Sequence, residues 1–262
     1  MNQRAARRAF LTRAVLLGTL AALCLPAWAQ PGFTSISTVR LNVKYQRGVG
    51  AEDAGKVAEY MQSDYEYLSS RLGLDLGSRL EVRIYDSPGK YLDATGQKRP
   101  WRFACFHRDV IHVQPVSVLL KEHAFEKSLS YELALAMLEP TAGRGCPGWL
   151  REAYAVYHSG VMSDLTAPVG ARVNSFGDLD EELQQYKAPP RRLDVLYLLG
   201  QTMKYFVEQF GEDKALGVFK AFTGTSSTDK VFASYFGVDM SVIEAQWSEY
   251  IVSHSQPFKP PR

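Results

Sequence analysis

The chain is organised around one stretch, Ser128-Leu129-Ser130-Tyr131-Glu132-Leu133-Ala134-Leu135-Ala136-Met137-Leu138. At 3.6 residues per turn, this stretch predicts a helix on which Tyr131, Glu132 and Leu135 share one side. Apolar side chains line the neighbouring arc, so the carboxylate of Glu132 is predicted to lie in apolar surroundings. An isolated buried carboxylate is costly to desolvate, and Glu132 therefore needs a partner.

The same stretch can be compared with the zinc-peptidase motif H-E-x-x-H. In that motif two histidines on one helix face bind the metal, and the glutamate between them acts as general base. Aligned with it, the chain keeps the glutamate as Glu132 but has Tyr131 and Leu135 where the motif has histidines. The pattern therefore predicts the helix of a zinc site that has lost both histidine ligands.

A second segment supports this comparison. Residues 147–157 resemble the helix P-x-W-L-x-E-G-x-A-x-Y, which supplies a glutamate as the third ligand in gluzincin peptidases of the thermolysin-like, peptidase MA type. Glu152 stands at the ligand position, and Ala153 replaces the usual glycine. The hairpin around Trp101 and the segments 205–211 and 245–250 also resemble this family, so the resemblance covers nearly all of the chain after residue 29.

This resemblance implies an α+β fold with a thermolysin-like gluzincin architecture. It predicts an N-terminal lobe of a small mixed sheet plus helices at 30–140 and an all-helical C-terminal lobe at 141–254. The motif helix would lie between the two lobes. A signal peptide at 1–29 and a flexible tail at 255–262 complete the predicted organisation.

Hydrophobic periodicity predicts the individual elements. Period-two alternation indicates a strand at 39–45, opening the mature fold, a second strand at 80–84, and a hairpin at 101–106 and 110–114. Helical stripes and glycine stops indicate helices at 54–72, near 91–96, 193–210, 214–223, 227–236 and 241–253. The region 163–190 is predicted to be a loop with one short helix at 179–186.

Residues 1–29 have the features of a secretory signal: a basic start, a short apolar run, and an A-x-A cleavage site formed by Ala27 and Ala29 just before Gln30. Arg7 and Arg8 also open a segment that resembles the twin-arginine export signal, and an Arg-rich Sec signal is the alternative. The apolar run is too short to span a bilayer comfortably, so we expect no integral membrane segment in the mature chain. The protein is predicted to be periplasmic or secreted.

Charge argues against a polyanionic partner. The whole chain has 30 basic and 28 acidic residues, but four of the arginines belong to the predicted signal. The mature chain would therefore carry a net charge of −2, and no nucleic-acid partner is expected.

Two cysteines remain in the mature chain, Cys105 and Cys146. In an oxidising compartment a pair of cysteines suggests one disulfide, here joining the hairpin before the motif helix to the loop after it. The alternative is a pair of buried free thiols.

The predicted site has lost most of what a catalytic zinc needs, namely three protein ligands and an open position for water. Only Glu152 remains of the family's three ligands. Two facing carboxylates would raise each other's pKa, so we expect the hydroxyl of Tyr131 to bridge to Glu152 while Leu135 fills the remaining space. A histidine from elsewhere in the chain could restore a metal ligand, and the candidates are His107, His112, His123 and His158. Each of these histidines, taken alone, is more typical of a surface or core residue.

The favoured interpretation is an exported pseudopeptidase that needs no cofactor. It would bind a peptide, cell-wall or protein partner in its cleft, and Glu132 would be a vestigial general base. The alternative is an active hydrolase that uses Glu132 as base, with zinc on non-standard ligands including Glu152 or without a metal. A structural or assembly partner recognised through the helical C-terminal lobe is a third possibility.

Overall fold

Alternating apolar residues build a mixed five-stranded sheet. The computed structural model describes residues 32–97, 102–141, 145–168, 173–187, 189–222 and 227–254. The strands are β1 (Phe33–Ser37), β2 (Leu41–Gln46), β3 (Leu80–Ile84), β4 (Ala104–His107) and β5 (Val110–Val113), arranged in the order β1-β2-β3-β5-β4. The pairs β2–β3 and β3–β5 are parallel, whereas β4 runs antiparallel to β5 and forms one edge.

The start of the sheet differs from the sequence prediction. β1 precedes the strand that was expected to open the fold, and Val39 lies between the two strands with 72% of its surface exposed. β1 was missed because its burial does not alternate, so period two gives no signal there.

Helix α1 (Ala51–Leu72) makes the crossover between β2 and β3, and its buried residues lie on the predicted stripe. It ends at Gly73, whose φ of 58° is the left-handed conformation that glycine adopts at low cost. The shorter helix α2 (Pro88–Thr95) ends the same way at Gly96. Both predicted helix ends are confirmed.

The hairpin β4–β5 turns through Arg108 and Asp109, which both have positive φ, as a two-residue hairpin turn requires. After β5 come α3 (Val116–Lys121) and α4 (Phe125–Thr141), which contains the motif stretch. His123 has a φ of 53° in the turn between them, so it does not belong to the motif helix.

The rest of the described chain is helical. Its elements are α5 (Gly148–Ser159), a 3-10 turn at Val161–Asp164, α6 (Phe176–Gln185), α7 (Arg191–Phe210), α8 (Glu212–Ala221), α9 (Thr228–Phe236) and α10 (Met240–His254). Trp149 on α5 is buried and stacks on Phe176 with ring centroids 4.4 Å apart, at the centre of an aromatic cluster that includes Phe206 and Phe232. Trp149 therefore packs the core.

The α+β class is confirmed, with the sheet on the N-terminal side and helices only after α3. The described residues from Thr34 onward form one compact unit. Within the described ranges, no helix is both long and apolar enough to cross a membrane. The predicted signal peptide, Trp101 and the predicted tail lie outside the described residues.

Candidate functional site

Glu132 lies on the face of α4 that meets the edge strand β4, with only 2% of its surface exposed. Its Oε1 accepts a hydrogen bond from Arg102 Nη2 at 2.5 Å, which also forms a salt bridge. Its Oε2 accepts from the backbone N–H of Phe106 in β4 at 2.7 Å. The partner that a buried glutamate requires is therefore an arginine together with an edge-strand amide.

Glu152 on α5 is held in a similar way. The hydroxyl of Tyr131 donates a hydrogen bond to Glu152 Oε2, which confirms the predicted bridge between the two helices. Arg192 Nη2 lies 3.2 Å from Glu152 Oε1, and its Nη1 donates to the carbonyl of Leu183, also at 3.2 Å. Both carboxylate oxygens of Glu152 are thus engaged by the protein itself.

The two carboxylates belong to one connected cluster. The guanidinium carbon of Arg102 lies 5.8 Å from the centre of the Tyr131 ring, so the tyrosine joins one ion pair to the other. Two guanidinium groups balance two carboxylates, which makes the cluster electrically neutral when all four groups are charged.

Burial shapes the protonation of this cluster. It raises the pKa of Glu132, although Arg102 and the amide of Phe106 oppose that shift by stabilising the carboxylate. Burial and the neighbouring charge of Glu152 raise the pKa of Tyr131 far above its ordinary value, so its hydroxyl keeps its proton and remains a donor. The raised pKa of Tyr131 also disfavours the phenolate form that a metal ligand would require.

The residues present do not fit a catalytic zinc. Tyr131 is a neutral donor, and Leu135, half-buried against the core, has no ligand atom. Among the residues that the structure describes, no three His, Cys, Asp or Glu side chains come together as a metal site. A cation placed between Glu132 and Glu152 would also meet guanidinium groups that already bind them, which costs Coulomb energy.

Of the four candidate histidines, His107, His112 and His158 do not line the cleft at Glu132, whereas His123 does. His112 is buried, stacks on the ring of Tyr85 and shares a hydrogen bond of 2.7 Å with the Tyr85 hydroxyl. Burial and the charge of Arg83 lower the pKa of His112 to about 4. The ring of His107 lies 6.4 Å from that of His112. His158 bonds Asp64 at 3.1 Å, and His123, although exposed, lines the cleft.

The predicted disulfide is wrong. Cys105 and Cys146 are both buried free thiols. Each sulfur lies near the carbonyl oxygen of the next residue, Cys105 at 3.7 Å from that of Phe106 and Cys146 at 3.8 Å from that of Pro147. Burial raises the pKa of both thiols, that of Cys146 to about 12, and keeps them protonated.

A cleft of about 220 Å³ opens at this cluster. Its lining includes Arg102 and Phe103, which come just before β4, and the apolar side chains of Leu193 and Leu196 on α7. The site glutamate and tyrosine, Glu132 and Tyr131, line its floor.

The edge of the sheet beside the cleft has a defined polarity. The backbone N–H of Gln114 donates a hydrogen bond to the carbonyl of Phe103 at 2.9 Å. In an antiparallel pair such bonding alternates along the strand, so every second residue counted from Phe103 directs its N–H and C=O groups toward β5. Ala104 and Phe106 therefore turn theirs to the outer edge, and the bond from Phe106 to Glu132 agrees with this. The amide and carbonyl of Ala104 face away from β5 beside the cleft, and the residue is only 2% exposed.

Sequence reasoning missed Arg102 and Arg192. It required a partner for Glu132 but named none, and it assigned the Tyr131 hydroxyl to Glu152. Arginine is the cation best suited to buried ion pairs. An arginine next to each predicted site element was therefore the sequence signal that could have identified these two partners. Arg192, at the start of α7, is only 5% exposed.

In comparison with known proteins, no family model matches this chain and no curated protein is significantly similar to it. The resemblance to gluzincin peptidases therefore stays a prediction that rests on the motifs around Glu132 and Glu152.

Proposed function

We propose that this chain is an exported, catalytically degenerate metallopeptidase-like protein, a pseudopeptidase with a thermolysin-like architecture. Its cleft binds an extended segment of a peptide, cell-wall or protein partner. The observation that carries the proposal is the replacement of metal by arginine. The carboxylates at the general-base and ligand positions, Glu132 and Glu152, are each paired with a guanidinium group.

These ion pairs explain why the cleft is better suited to binding than to hydrolysis. A general base must accept a proton from water at the reacting carbon. Both oxygens of Glu132 instead accept hydrogen bonds, one from Arg102 and the other from the edge strand. The second bond holds β4 against α4. The carboxylate has become part of the wall of the cleft.

The apolar part of the lining supplies the mode of binding. Leu193 and Leu196 can receive an apolar side chain of the partner. Addition of a strand to the edge of β4 is disfavoured, because Ala104 is only 2% exposed and the amide of Phe106 is already bonded to Glu132. The apolar lining therefore provides both affinity and selectivity for apolar residues.

The alternative, an active hydrolase, is supported by one observation. Glu132 lies in a cleft with its pKa raised by burial, as many catalytic acids and bases do. In that case zinc would be bound through Glu152 with a non-standard ligand, or the carboxylates would act without metal.

Peptide display on the purified mature protein tests the proposal. Peptides selected for binding should lose at least tenfold in affinity to Leu193→Asp, which places a charge in the apolar lining. The matched control is Val242→Asp on α10, a valine of similar exposure that does not line the cleft. It should leave affinity unchanged.

Metal analysis and peptidase assays distinguish the alternative. After dialysis against trace zinc, the mature protein should hold no stoichiometric metal. Stoichiometric zinc that is lost in Glu152→Ala, with peptide hydrolysis abolished in Glu132→Gln, would overturn the proposal and establish the hydrolase.

A further inference from the structure

The two arginines of the cleft have more hydrogen-bond donors than the protein itself uses. A guanidinium group carries five N–H donors. Among the described residues, Arg102 uses one of them, on Glu132. Arg192 uses two, on Glu152 and on the carbonyl of Leu183. Both arginines line the cleft, and no nitrogen of either is buried without a partner, so the unused donors are open to the cleft.

Lys187, an exposed residue just after α6, brings a further positive charge to Arg192. Its Nζ donates to the carbonyl of Leu183 at 3.0 Å, which also accepts from Arg192 at 3.2 Å, so two cations meet at one oxygen. Within the described ranges, Lys187 forms no salt bridge with an acidic side chain. Burial and the charge of Arg192 lower the pKa of Lys187; Arg102 adds to this effect and Glu152 opposes it.

The charge balance beside the arginines suits one negative charge. Each arginine is offset by its own glutamate, so Lys187 is the charge in excess. Asp180 is the weakest of the charged groups that act on the pKa of Lys187, and its two oxygens already accept hydrogen bonds from Trp149 and Gln184. A monoanion on the partner would balance the lysine, whereas a doubly charged group would also be repelled by the two glutamates.

We propose that the cleft binds the free C-terminus of a peptide whose last residue is apolar. This inference rests on the proposed function and names the part of the partner that enters the cleft. The planar fork of a guanidinium group matches a carboxylate. Leu193 and Leu196 line the same cleft, and Leu193 directly follows Arg192 in the chain. A C-terminal residue carries its carboxylate and its side chain on one Cα and can reach both, whereas an internal acidic residue offers no apolar side chain.

Tetrapeptides that end in leucine or phenylalanine, each made as the free acid and as the C-terminal amide, test the inference by NMR titration of the mature protein. The acids should bind at least tenfold more tightly than the amides. Lys187→Met should weaken binding of the acids at least threefold and leave binding of the amides unchanged. The matched control is Lys204→Met, an exposed lysine on α7 that does not line the cleft, and it should change neither.

Failure of this inference differs from failure of the proposed function. If acids and amides bind equally and Leu193→Asp weakens both, the cleft binds peptides without reading their C-termini, and only this inference is overturned. If no tetrapeptide binds in either form, or if Leu193→Asp leaves binding intact, both are overturned. Tighter binding of an amidated peptide with an internal aspartate or phosphoserine would also overturn this inference, because the cleft would then recognise an acidic side chain.

Discussion

Arg102 neutralises a carboxylate that would otherwise lie uncompensated in the protein interior. Removing one partner of a buried ion pair typically costs about 3–5 kcal/mol, because the other charge remains buried. We expect Arg102→Met to lose roughly that much stability at pH 8, measured by urea unfolding. At pH 5 the loss should be smaller, because removing the guanidinium raises the pKa of Glu132 further and protonation then relieves the buried charge.

The sign of this effect follows from the direction of the shift. A carboxyl group whose pKa is raised on folding favours the folded state most at low pH, and that contribution is lost as pH rises through its folded pKa. Adding Glu132→Gln to Arg102→Met should recover much of the stability at pH 8. Arg40→Met, which breaks an exposed ion pair with Asp75, should cause no measurable loss. An equal deficit at both pH values would contradict this account of Glu132.

The two thiols give a second prediction at the level of single residues. Because Cys105 and Cys146 are buried and protonated, they should react slowly with iodoacetamide in the native protein. In denaturant without reductant, peptide mass spectrometry of the exported protein should find both residues alkylated. A peptide pair linked through Cys105 and Cys146 would contradict the structure.

At the scale of elements, α5 and α7 pack closely where Gly200 faces Val156 on α5. A Cβ added to Gly200 would lie 2.9 Å from Val156 Cγ1 and 2.8 Å from Met162 Sδ. Met162 can move, but the branched side chain of Val156 is fixed on its helix. Gly200→Ala should therefore destabilise the protein by about 1–3 kcal/mol, measured by urea unfolding, even though alanine favours helices.

Gly55 in α1 is the matched control for this substitution. An added Cβ there meets nothing within 4 Å, so Gly55→Ala should gain about 0.5–1 kcal/mol from helix propensity alone. If both substitutions stabilised the protein, the contact between α5 and α7 would be looser than described.

Elements with regular periodicity could be predicted from sequence, and irregular ones could not. The apolar stripe of α1 and the glycine after it gave both the helix and its end at Gly73. β1 has no such pattern, and the break at His123 depends on one residue in the left-handed conformation, which histidine adopts without a strong local signal.

For the molecule as a whole, contacts that local motifs specify could be predicted, whereas contacts that depend on long-range packing could not. The bridge from Tyr131 to Glu152 could be predicted because two local motifs specified both ends of it. Arg102 and Arg192 reach the site from segments 30 and 40 residues away from their partners, and tertiary packing alone brings them there. The disulfide prediction failed for the same reason, since flanking a site in sequence does not fix the direction of a side chain.

The cluster that joins β4, α4, α5 and α7 also makes the sheet and the helical part depend on each other. We expect the mature chain to unfold in one cooperative transition, although a boundary between lobes was predicted near residue 140. Leu41→Ala removes a fully buried side chain in β2 and should cost about 2–5 kcal/mol. In a Trp101→Phe background, the fluorescence of the buried Trp149 and Trp247, both in the helical part, should report the same shift in midpoint as far-ultraviolet circular dichroism. A tryptophan midpoint that stayed at the wild-type value would instead mean that the helical part folds on its own, and the ion-pair cluster would then be a contact between lobes and not a part of one core.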